Sequence, residues 1–90
     1  MDNISDEKIA ARILNKMARH GWWEAKHTSI NNLPKGMPKH LWKDVRKVID
    51  ELIRKGFIKR KPTSYGLEVS LNIKMKNEIF RIIEKYRMND

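Results

Sequence analysis

Ninety residues, no cysteine and a net charge of +9 describe one small domain, since domains run from about 50 to 250 residues. A chain this short buries little more than about 60% of its unfolded surface, which leaves no room for a deep catalytic cavity beside a core. The lack of cysteine excludes disulfides, a thiolate nucleophile and Cys-ligated zinc, and fits a reducing cytoplasm. The start "MDNISDEKIAARIL" carries acids where a secretory leader needs bases, and no apolar run approaches a membrane span. The expectation is a cytoplasmic protein with no membrane partner, in which the Asn3-Ile4-Ser5 sequon has no meaning.

Ser5 to His20 reads as the first helix, with Ser5 as cap, Asp6 and Glu7 at its positive end, and His20-Gly21 as its stop. Ile9, Ile13, Leu14 and Met17 recur at helical spacing with Ala10 and Ala18 beside them, while Lys8, Arg12, Lys16 and Arg19 take the other side. A short strand is expected around Lys26–Thr28. A very short helix over "SINNLP" should follow, capped by Thr28 or Ser29 and ended by Pro34. The next helix is the best defined: Pro38 suits its first position and Gly56 follows its basic last turn. Leu41, Val45, Val48, Ile49, Leu52 and Ile53 span about 140° of its circumference, opposite a face of Lys39, His40, Lys43, Arg46, Lys47, Asp50 and Arg54.

After Gly56 the period turns from helical to alternating. A strand near Phe57–Lys61, a turn "PTSYG" and a strand with Leu67, Val69 and Leu71 on one face make a β-hairpin. The last helix, about 74–87, carries Met75, Ile79, Phe80, Ile82, Ile83 and Tyr86 on a broad apolar face, which packs on the first helix or pairs two subunits.

Reactive chemistry finds little support. His20, His27 and His40 lie at no metal-ligand spacing, and no nucleophile context or paired carboxylate occurs. No catalytic residue, metal or cofactor is expected, and the chain is not expected to be an enzyme. Trp22 and Trp23 read as core and seam rings rather than as a platform for bases. Charge is more telling. Eleven Lys/Arg and only three acids lie between Lys26 and Lys61, so that the central segment carries +8 of the net charge. Such concentration is the electrostatic footprint of a polyanion partner.

The stretch "VRKVIDELIRKGFIKRK…YGLEVSLN", following a helix, short strand and short helix, resembles the winged helix-turn-helix superfamily of DNA-binding proteins, and the small stand-alone archaeal proteins among them. The resemblance covers about residues 5–73 and implies a mainly helical α+β domain with a β-hairpin wing. It departs from the family at "NNLPKGMP", where two prolines and a glycine replace a regular second helix and tight turn.

The implied function is double-stranded DNA binding by a small transcriptional regulator. The recognition helix would offer Lys39, His40, Lys43, Arg46 and Lys47 to the major groove. The wing would offer Lys59, Arg60, Lys61, Ser64 and Tyr65, with Lys26 and Lys35 as phosphate contacts. RNA binding is the second reading and a protein-interaction module the third. A homodimer through the last helix would match palindromic half-sites.

Overall fold

Ser5 is extended (φ −69°, ψ 154°) and its hydroxyl accepts the Lys8 amide at 3.2 Å. Helix α1 therefore begins at Asp6 and runs to Arg19. The computed structural model describes residues 5–87, so Asn3 and Ile4 of the sequon lie outside the described residues. Ile9, Ile13, Leu14 and Met17 are buried along α1, joined by Ala11 rather than by Ala10 and Ala18, which are half-buried.

Both expected glycine stops close their helices in the same way. After α1, the Gly21 amide donates to Ala18 O and the Trp22 amide to Met17 O. After the long helix, Gly56 donates to Ile53 O and Phe57 to Leu52 O. These paired bonds need a positive φ at the first residue beyond the helix, and Gly21 (72°) and Gly56 (85°) supply it.

The "SINNLP" helix is reduced to a 3-10 turn, Ile30–Asn32. Ser29 Oγ caps it by accepting the Asn31 amide, and Asn32 Nδ2 donates to Thr28 Oγ1 at 2.9 Å. Leu33 and Pro34 are buried directly after it. Proline has no amide to offer, so the turn goes no further. A second correction concerns Pro38, which precedes a 3-10 turn at Lys39–Leu41; helix α2 starts only at Trp42 and ends at Arg54. Leu41, Val45, Val48, Ile49 and Leu52 are buried on its inner side, with Ile53 half-buried.

The sheet has three antiparallel strands: β1 (Thr28–Ser29), β2 (Ile58–Thr63) and β3 (Gly66–Leu71), in the order β1-β3-β2. β1 lies slightly later than expected and pairs Thr28 with Val69 and Ser29 with Glu68. The hairpin is longer than its sequence suggests, since pairing runs from Ile58↔Leu71 to Thr63↔Gly66 and leaves only Ser64-Tyr65 as the loop. Pro62 is tolerated inside β2 because β2 is an edge strand. Val69 and Leu71 face the core, Leu67 is only half-buried, and Ser70 of the opposite face is buried as well. The tryptophan segment adds to the same sheet: Leu71 N donates to Trp22 O at 2.8 Å and Glu24 N to Leu71 O at 3.1 Å.

A 3-10 turn at Ile73–Met75 leads into α3, Lys76–Arg87. Ile79 and Ile83 are buried and α3 packs on α1, with Tyr86 Oη donating to Glu7 Oε1 at 2.5 Å. Phe80 stays 43% exposed beside Trp23, the ring centroids 5.9 Å apart. One cluster of buried side chains from α1, α2, the sheet and α3 forms the core, and Trp22 and Trp23 pack against it as structural rings.

Candidate nucleic-acid interface

Helix α2 turns its buried stripe inward, so its outer face is set by elimination. Lys43, Arg46 and Lys47 are exposed there, and Lys39 and His40 are exposed on the 3-10 turn just before it. Lys47 and Arg46 have identified partners. Lys47 Nζ lies 3.2 Å from Asp6 Oδ2, and this bond holds the ammonium above its ordinary pKa. The Arg46 guanidinium sits 5.9 Å from the centroid of Trp42, whose Nε1 donates to Met37 O at 2.9 Å. Trp42 thereby ties the start of α2 to the proline turn and supports Arg46 from below.

The hairpin divides its bases between two faces. Side chains alternate along a strand, and Ile58 is buried in the core. Arg60 therefore shares the face that packs on α2, while Lys59 and Lys61 emerge on the opposite one. Lys59 is held by Glu24: Nζ donates to Oε1 at 2.7 Å, while Glu24 Oε2 accepts the Ile73 amide at 2.7 Å. Both bonds, that of Lys59 foremost, hold the Glu24 carboxyl below its ordinary pKa. Glu24 has φ 47°, so a strained residue pins the base of the hairpin to the turn before α3.

Lys61 sits across from Glu68 in the ladder, but Glu68 is taken by Nδ1 of His27. These groups border a shallow groove of about 350 Å³ lined by Glu24, Ala25, His27, Ser70 and residues 59–61. Lys26, Lys39, Lys43, Arg60 and Lys61 are exposed and have no ion-pair partner among the described residues. Ser64 and Tyr65 form the exposed hairpin tip. The predicted residues thus fall into a group on α2 and the turn before it and a hairpin group of Lys59, Arg60 and Lys61, with Lys26 in the segment before β1.

Lys35 stands apart from both, and it leads to a residue the sequence reading misplaced. Lys16, assigned to the solvent side of α1, reaches across to the proline turn. Its Nζ donates to Asn32 O at 2.5 Å and to Lys35 O at 2.7 Å. Burial, and then the charge of Lys35, depress its pKa. The signal for this was available: at 100° per residue Lys16 lies only about 20° around the helix from Ile9, at the margin of the buried stripe.

His20 lies edge-on to Trp22, 4.4 Å between centroids, and among the described residues no three His, Cys, Asp or Glu side chains group as metal ligands would. No helix among the described residues is long and apolar enough to cross a membrane. The class defined by these elements is α+β: three helices with a small three-stranded antiparallel sheet. No family model, curated protein or solved structure matches the chain.

Proposed function

We propose that the chain is a winged helix-turn-helix module that binds double-stranded DNA as a small transcriptional regulator. The observation that carries this reading is the exposed basic face of α2, on which Lys43 has no ion-pair partner among the described residues, leading into a hairpin whose Arg60 and Lys61 have none either. The element order supports it, with the 3-10 turn Ile30–Asn32 standing where the second helix of the motif belongs and β2–β3 as the wing. Lys39, from the 3-10 turn before α2, and Lys43, from the first turn of the recognition helix, reach base edges or phosphates, and Arg60 adds a phosphate contact from the wing. Arg46, whose guanidinium lies over Trp42, extends the same face. A pairing of two subunits through α3 has little to rest on beyond Phe80, because Ile79 and Ile83 are spent on the core.

Fluorescence anisotropy of a labelled duplex, titrated at several salt concentrations, tests the proposal. About six phosphate contacts give a slope near −5 for log K against log salt. Lys43→Ala and Arg60→Ala should each make the slope shallower by about one, without changing the melting temperature. Failure to bind any duplex at low salt would refute the reading, and preference for duplex RNA in competition would replace it with the RNA alternative.

A further inference from the structure

Tyr65 is 96% exposed, the largest exposure of any bulky apolar side chain among the described residues. Its ring makes no aromatic or cation–π contact there. The turn that carries it is nevertheless held. Thr63 Oγ1 accepts the Tyr65 amide at 3.2 Å and donates to Gly66 O at 2.7 Å, so one hydroxyl closes the two-residue loop that carries the ring. Val69, paired with Arg60, is the last buried residue of β3 toward the tip, and Thr63↔Gly66 lies three pairs further out. At about 3.4 Å per residue the tip stands about 10 Å clear of the core. Arg60 and Lys61, both without an ion-pair partner, flank its approach.

An open ring on a hydrogen-bonded turn at the end of a projecting, cationic ribbon suits the face of a nucleobase with a phosphate beside it. Continuous duplex does not offer that face, because each base is covered by its neighbours. Nor can a ribbon of two strands sink into a minor groove only about 6 Å wide. Open base faces occur where the duplex stops and a strand continues unpaired.

Resting on the DNA-binding reading, we propose that Tyr65 stacks on the first unpaired base at a junction between double- and single-stranded DNA, with Arg60 and Lys61 on the adjoining phosphates. The chain then distinguishes junction-bearing DNA from uninterrupted duplex. Stacking of one base on an aromatic side chain gives a preference of about tenfold.

The test uses two labelled DNAs of equal strand length, a blunt duplex and a duplex with a single-stranded overhang whose first unpaired base is 2-aminopurine. The expected result is about tenfold tighter binding of the overhang DNA, with a change in 2-aminopurine emission on binding. Tyr65→Ala, at an exposed position, should bind the overhang DNA no more tightly than it binds the blunt duplex and should give no change in 2-aminopurine emission, whereas Tyr65→Trp should keep both effects. Equal affinity for the two DNAs, or a preference that survives Tyr65→Ala, overturns the junction proposal and leaves duplex binding standing. Absence of binding to either DNA overturns the duplex reading beneath it, and the junction proposal with it.

Discussion

Replacing Lys16 by methionine removes one ammonium while keeping the methylene stem that lies along α1. Two hydrogen bonds disappear, to Asn32 O and Lys35 O, and with them the cross-brace between α1 and the proline turn. A bond from a charged donor contributes about 1.5–3 kcal/mol when both partners are buried. Here the gain is smaller, because the site is partly open and water can reach the released carbonyls. Burial and the nearby Lys35, which depress the pKa of Lys16, offset a further part. The net cost of Lys16→Met should be about 1 kcal/mol, or a melting temperature about 5 °C lower for a chain of this length. Thermal unfolding followed by circular dichroism measures the first effect and duplex binding the second, since the brace fixes the segment from which α2 departs. A melting temperature within about 1 °C of the wild type, together with unchanged duplex affinity, would refute the reasoning.

Glu24 has its pKa depressed in the folded chain, so it stabilises the fold above the ordinary carboxylate range and loses that contribution as pH falls through its depressed value. Melting temperature measured against pH should therefore drop on acidification, and Glu24→Gln should flatten that part of the curve; parallel curves would count against the pin. Gly56→Ala meets no atom within 4 Å, so its cost is the positive φ alone, about 1 kcal/mol by urea unfolding with an unchanged slope. Asp6→Asn frees Lys47 and should steepen the salt dependence of duplex binding by about one unit, at a loss of a few tenths of a kcal/mol from the helix N-terminus.

How far the sequence could be read depended on the range of the interaction involved. The Ser5 cap and the Gly21 and Gly56 stops are local hydrogen-bond patterns, and each was legible from a few adjacent residues. The buried stripe of α2 was legible for the same reason: its period is set by the helix itself. The proline turn was legible as a departure but not as a shape, because two 3-10 turns divide a stretch that periodicity cannot resolve. Pairings across the fold were not legible at all. Lys59 meets Glu24 across 35 residues and His27 meets Glu68 across 41, so which bases are free could be learned only once the sheet had assembled. The basic cluster was correctly located in the chain, yet its division into two faces follows from the parity of Ile58 in β2.

β2 is an outer strand, and its free side presents backbone amides and carbonyls that another extended chain could zip onto. Three consecutive cations, Lys59, Arg60 and Lys61, followed by Pro62, occupy that side. An approaching copy would bring the same charges against them, and at Pro62 it would find no amide to accept from. The run proposed to contact phosphates thus also sets like charge against any edge-to-edge pairing of copies. Neutralising it should carry a solubility cost separate from any loss of binding.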